Sequence, residues 1–219
     1  MQSDKSLDKK FRECSNLRYY PWVGTNYQKQ ETKILIVGES HYYGETCSLE
    51  DSKTIDENNE FTRECFCNVE IPVYQKMEAM LANNLLEFDW VRDCICFYNF
   101  FQKCVGYGAA DKSFINEELI NVSRKAFFEV INILTPDIII VWGKTDMWTW
   151  MPPFDFEEGK MYSKNLYIYN KYKNSIIFHI EHPSSRTFDI IKTTNFIKEQ
   201  FEEIGKTLTF KQINIPIQK

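Results

Sequence analysis

Lys33–Tyr42 reads KILIVGESHY: four apolar residues, then Gly38, then a run of polar and aromatic side chains. An unbroken apolar run rich in β-branched residues suits a strand covered on both faces, not a half-exposed hairpin. Gly38 ends the strand, and Glu39, Ser40, His41 and Tyr42 follow at its carboxyl end. Three further runs have the same form: Cys94–Asn99 (CICFYN), Asp137–Gly143 (DIIIVWG) and Ile176–His182 (IIFHIEH), the last stopped by Pro183.

Helical spacing fills the gaps. Val73–Phe88 repeats Met77, Met80, Leu81 and Leu85. Asn116–Leu134 repeats Leu119, Val122, Phe127, Val130, Ile131 and Leu134, and Pro136 closes it. Thr145–Trp150 reads as a short helix start, and Thr187–Ile204 as a longer helix with Ile190, Ile191, Phe196, Phe201 and Ile204 on one side. Alternating strands and helices predict an α/β domain with a central four-stranded, mostly parallel sheet. Ligands bind such sheets beyond the carboxyl ends of the strands. The polar residues there are Gly38–Tyr42, Asn99, Trp142–Lys144 and His182–Ser185, so one cleft is predicted to gather them. Leu166–Tyr172 suits an extra edge strand and Thr207–Ile217 a terminal one. Glu45–Glu70 is long for a structureless loop and is expected to hold a short helix or a lid.

The totals agree with one domain over residues 1–219, residues 1–30 forming a lead-in. With 219 residues, 43% hydrophobic and 16% aromatic, the chain has material for a sizeable core and shows no linker. A net charge of -5 and a pI of about 5.4 argue against a strongly basic nucleic-acid-coating protein, although a local basic patch is compatible with an acidic total. Met1–Lys10 is polar, no apolar run reaches the ~18 residues of a spanning helix, and the seven cysteines are odd in number. A cytoplasmic protein with reduced thiols and no membrane partner is expected. Cys65-x-Cys67 and Cys94-x-Cys96 lack the two-residue spacer of common zinc sites, and neither a metal nor a cofactor is expected. In a strand, Cys94 and Cys96 would share one face and pack as small apolar groups.

The strand ends resemble the uracil-DNA glycosylase superfamily. Val37-Gly38-Glu39-Ser40-His41-Tyr42 is similar to its first motif; Cys96-Phe97-Tyr98-Asn99, with Lys103 shortly after, is similar to its Asn-terminated strand; Glu181-His182-Pro183-Ser184-Ser185 is similar to its His-Pro-Ser motif. Tyr20–Tyr27 resembles the lead-in of bacterial members that carry a G-E-S-H-Y motif. The resemblance runs from about Lys33 to Phe188. It implies a three-layer α/β/α fold and cleavage of the bond between a deoxyribose and uracil, or another deaminated or modified base, after the base has left the stack. DNA, single- or double-stranded, or a nucleobase or nucleotide is the partner implied.

On that resemblance His182 donates to the base oxygen where charge develops, Glu39 orients the attacking water, and Ser40 stands where the most efficient members carry an Asp. A Ser cannot supply the negative charge that steadies a sugar cation. His41 replaces the proline that usually follows. Asn99 reads the base edge; a flipped amide suits cytosine as well as uracil. Gly38 and Tyr42 border the base, Tyr42 where one branch crowds a 5-methyl group, and Phe61 stacks on it, with Phe66 as the other candidate. Ser184 and Ser185, at a helix start, suit a phosphate; Arg186 lies where relatives carry an apolar wedge, and Lys144 follows the third strand. Each residue also has a plainer role: a strand-end histidine bonding a carbonyl, a turn asparagine, a helix cap, a core aromatic. The iron–sulphur branch needs paired N-terminal cysteines, and Cys14 stands alone. Two other functions are open: a catalytically weak sensor of bases, nucleotides or modified DNA, and an unrelated hydrolase using Ser40 and His182. Gly38–Tyr42 lacks the second glycine of the G-x-S-x-G elbow that such a hydrolase would carry.

Overall fold

The structure, a computed structural model, describes residues 2–83, 90–143, 146–153, 166–172 and 174–210. Six strands form one sheet: β1 (Trp22–Val23), β2 (Ile34–Gly38), β3 (Cys96–Asn99), β4 (Ile138–Trp142), β5 (Tyr167–Tyr169) and β6 (Ser175–Ile180). Their order is β1-β3-β2-β4-β6-β5. The four expected strands are the parallel centre, and the two additions are antiparallel edges. The expected total of four strands is therefore corrected to six. β5 lies within the segment anticipated as an edge strand. β1 is only two residues long, too short to leave a period in the sequence.

Seven α-helices lie among the described residues: α1 (Asp8–Arg12), α2 (Leu49–Glu57), α3 (Phe61–Cys67), α4 (Pro72–Ala82), α5 (Glu117–Leu134), α6 (Asp146–Trp150) and α7 (Ile190–Glu203). They cover both faces of the sheet. Leu35, Val37, Cys96, Tyr98, Ile139, Val141 and Ile177 face Phe11 of α1, Met147 of α6 and Phe127, Val130, Ile131 and Leu134 of α5. Ile34, Ile36, Phe97, Ile138, Ile140, Trp142, Phe178 and Ile180 face Phe66 of α3, Tyr74, Met77, Met80 and Leu81 of α4, and Ile197 and Phe201 of α7. Alternate residues of each strand thus meet opposite helical layers, which is why the strands are apolar without alternation.

Some boundaries differ from the sequence reading. The segment given to Val73–Phe88 stops at Ala82, because Asn83 takes a left-handed conformation (φ 51°) that ends the helix; residues 84–89 lie outside the described residues. Cys94 closes a 3-10 turn before β3 instead of belonging to the strand, although it and Cys96 are both buried. The last helix begins at Ile190, not Thr187, because the Asp189 carboxylate accepts from the Lys192 amide and caps it. Glu45–Glu70 contains α2 and α3, and residues 207–210 form no strand.

A buried ion pair fixes the helices beside the future site. Arg92, fully buried, pairs with Glu78 of α4 at 2.8 Å and donates to the carbonyls of Phe66 and Asn68 at the end of α3. A buried pair adds little net stability against an apolar substitute, but removing one partner leaves a charge stranded. The pair ties the end of α3 and α4 to the turn that leads into β3.

Candidate functional site

In the central order β3-β2-β4-β6 the chain moves outward from β2 to β3 and then crosses back to β4. The crevice where the direction reverses is the usual ligand site of such sheets. It holds a cavity of about 320 Å³ lined by Gly38, Glu39, Ser40, His41, Tyr42, Phe61, Cys65, Ile71, Val73, Tyr74, Phe97, Asn99, Trp142, His182 and Ser184. Four strand ends meet there. Of the residues singled out in the sequence, Gly38, Glu39, Ser40, Tyr42, Phe61, Asn99, His182 and Ser184 line it together, whereas Ser185 and Arg186 do not. Lys144 lies outside the described residues.

The loop after β2 is sewn to the loop after β3. Gly38 pairs with Asn99 in register, and the carbonyls of Gly38, Glu39 and His41 accept from the amides of Phe100, Phe101 and Val105 at 2.9, 2.9 and 3.0 Å. A Cβ at Gly38 would lie 2.3 Å from Asn99 Oδ1 and 3.0 Å from the Phe97 ring, so only glycine lets the amide rest on the backbone there. Asn99 is 4% exposed, and its Nδ2 lies 3.1 Å from His41 Nε2. That same ring nitrogen lies 2.8 Å from Thr62 Oγ1 of α3. Burial pushes the His41 pKa down to about 3, and the imidazole is neutral.

His182 is held differently. Its Nδ1 accepts from the Ser184 amide at 3.1 Å and lies 2.7 Å from Ser184 Oγ. With Nδ1 accepting, the proton of the neutral ring is on Nε2. Burial lowers the pKa of this histidine as well, which favours the neutral form. Its ring stands edge-on to Trp142, with centroids 5.6 Å apart. The walls are flat: Phe97 neighbours Tyr74 and Trp142 at 5.3 Å each, and stacks on Phe66 behind it at 4.5 Å. Phe66, the other stacking candidate, is therefore core; Phe61 lines the cavity while bracing His41 at 4.8 Å. Tyr42, 38% exposed, forms the rim. Its phenol pKa is raised by burial and then by the Glu39 carboxylate.

Ser40 Oγ and Trp142 Nε1, both at the cavity, are buried with no hydrogen bond to a described residue. Ser40 is thus not bonded to His182, which removes the activated nucleophile that a serine hydrolase would need. The Cys65 thiol is pushed up to about 11 by burial and then by Glu64, which leaves it protonated and unreactive. All seven cysteines are free, and the described residues contain no group of metal-ligating side chains. No helix among the described residues is long and apolar enough to cross a membrane.

One expectation needs correction. Ser184 and Ser185 do not sit at a helix start; they form a turn, and α7 begins five residues after Ser185 with its own cap. Ser184 is committed to His182. Ser185 Oγ donates to Glu181 Oε1 at 2.6 Å, and Thr187 bonds the same carboxylate oxygen. A carboxylate therefore occupies the place expected to hold a phosphate. Arg186 is exposed. Beside His41 and Trp142, which were expected at the cleft, residues that sequence reading had not placed there also belong to the site: Thr62 behind Asn99, and Tyr74 and Phe97 as walls. Phe97 sits inside a strand run, where an aromatic residue reads as core, and nothing around Thr62 in the sequence signals its partner. No protein-family model matches the chain, and no curated protein matches it either.

Proposed function

We propose that the cleft binds one planar heterocycle, a nucleobase turned out of a strand, and that the chain is a DNA glycosylase hydrolysing the N-glycosidic bond of uracil or another deaminated or modified base. The observation that carries this reading is the meeting of Glu39, Asn99 and His182, far apart in sequence, around one cavity with flat aromatic walls. The parallel four-strand centre, covered by helices on both faces, is in keeping with the three-layer glycosylase-like layout.

Each group then has a task. The aromatic walls exclude water and leave a slot for a ring. Asn99 reads the base edge with its amide. His182, neutral with Nε2–H, donates to the base oxygen as the glycosidic bond breaks and charge moves onto the base; a donor placed in advance in a dry pocket is worth about 3–4 kcal/mol. Glu39 orients water toward the sugar and supplies the negative charge that Ser40 lacks. The Ser40 hydroxyl and the Trp142 indole N–H are left to hydrogen-bond the ligand or its water.

A sensor that binds a base or nucleotide without cleaving it is the second reading, favoured by the Glu181 carboxylate against Ser185, which repels a strand phosphate at that turn. A gel assay separates the two. Single- and double-stranded oligonucleotides carrying uracil, hypoxanthine, xanthine or a modified cytosine are incubated with the protein and treated with alkali. Strand scission that disappears in His182→Ala supports the glycosylase. Binding without scission on every base supports the sensor, and neither binding nor scission on any base defeats both.

A further inference from the structure

A buried indole N–H ordinarily finds an acceptor inside the protein. That of Trp142 finds none among the described residues: the residue is 2% exposed, and Nε1 is buried without a hydrogen bond. Trp142 ends β4, and its ring neighbours are Phe97 at 5.3 Å, His182 at 5.6 Å and Tyr74 at 6.3 Å. All four residues border the same cavity. Trp142 pairs in register with Ile180 of β6, two residues before His182. The ends of neighbouring strands thus bring an indole N–H and the Nε2–H of a neutral imidazole to one wall. The described lining residues include one carboxylate, Glu39, and no lysine or arginine. Neutral donors beside a carboxylate suit an uncharged acceptor, a carbonyl oxygen, better than an anion. A donor left unpaired in the interior destabilises the empty protein, and a ligand acceptor that meets it relieves that cost.

We propose that the Trp142 indole N–H is a ligand-binding donor that acts beside His182 and seats a ring carbonyl oxygen of the bound heterocycle. The proposal rests on the base-binding reading above and deepens it: the wall made by the ends of β4 and β6 recognises a carbonyl-bearing edge, and Trp142 is more than a flat surface. The empty fold carries the unmet donor, and binding satisfies it.

The test reads the empty protein first. A benzothiophene analogue of tryptophan, placed at position 142, keeps the fused ring and replaces the N–H by sulphur. The melting temperature of the analogue protein is expected to equal or exceed that of the wild type, because an unmet donor is removed. A clear fall means that the N–H is bonded within the protein or to a resident water, and overturns the proposal whatever the site binds. Uracil, 2-thiouracil and 4-thiouracil are then titrated into both proteins, so that each ring oxygen is exchanged in turn for a weaker acceptor. The wild type is expected to bind uracil about five- to tenfold more tightly than the analogue protein, the net worth of one hydrogen bond. For one of the two thio-bases that advantage should shrink toward one, which identifies the seated oxygen. An advantage unchanged for both thio-bases means that the N–H holds no carbonyl oxygen, and overturns the proposal. Equal uracil affinities in the two proteins, or in the wild type and a folded Trp142→Phe, overturn the role given to Trp142 but leave base binding intact. No binding of any of the three bases by the wild type defeats the base-binding reading itself, and the claim about Trp142 with it.

Discussion

The loop after β2 and the turn after β6 line the same cavity but are built in opposite ways. Residues 38–43 are tied by backbone hydrogen bonds to residues 99–108, and His41 is enclosed among Tyr19, Phe61, Thr62 and Asn99. Its imidazole is spent on the protein. Residues 182–185 form an open turn, pinned from outside by Lys76 Nζ donating to the Pro183 carbonyl at 3.0 Å. There the imidazole is oriented through Nδ1, and Nε2 makes no hydrogen bond to a described residue. One histidine has Nε2 committed to side chains of the protein, and the other has Nε2 left without a described partner. Exposure alone would not separate these roles; the partners of the two ring nitrogens do.

The largest expected effect comes from removing the open donor. His182→Ala should lower strand scission by roughly 100- to 1,000-fold while moving the melting temperature little, because the ring satisfies only its own turn. If the melting temperature falls sharply and the rate does not, the contrast between the two histidines is reversed. The next effect is on the closed side. Gly38→Ala puts a methyl group into the Asn99 amide, and should destabilise the protein by about 1–3 kcal/mol and weaken base binding at the same time. Calorimetry and base titration on the same sample check it.

Acid should act on the closed side next. His41 titrates near 6.5 when unfolded and at about 3 when folded. Between those values the unfolded chain holds the extra proton, so stability is fully present above pH 6.5 and falls as pH drops, by about 1.4 kcal/mol per unit. At pH 5 the loss from this residue is about 2 kcal/mol. His182, shifted in the same direction, adds to it. Urea titrations at pH 7 and pH 5 measure the loss, and folded His41→Phe should show a shallower dependence; the same slope in that variant would mean that another group carries it.

Much of this was legible in the sequence and some was not, for physical reasons. KILIVG, DIIIVWG and the other runs declared buried parallel strands because both faces of the sheet are covered, and Gly38, Asn99 and His182 fell at their carboxyl ends. That placed the cleft. The two-residue β1 left no period to read. The helix start was misplaced at Ser184 and Ser185 because serine is a good cap, while Asp189, a few residues on, does the capping. The His41–Thr62–Asn99 cluster joins three segments through single hydrogen bonds, and no spacing rule links positions 41, 62 and 99. A histidine in a loop advertises exposure; only the packing of Phe61 and Tyr19 around it shows otherwise.

The smallest effect sharpens the comparison most finely. Ser184 gives His182 both an amide and a hydroxyl, and only the hydroxyl is removed by Ser184→Ala. The Ser184 amide still donates to Nδ1, so the tautomer should survive and the loss in scission should be at most about tenfold, the net worth of one hydrogen bond. Ser184→Pro removes the amide donor while also losing the hydroxyl, and should bring the rate close to that of His182→Ala. Near-equal rates for the two Ser184 variants would mean that the backbone of the turn does not orient the ring, and the open donor would then owe its direction to Trp142, the aromatic edge beside it.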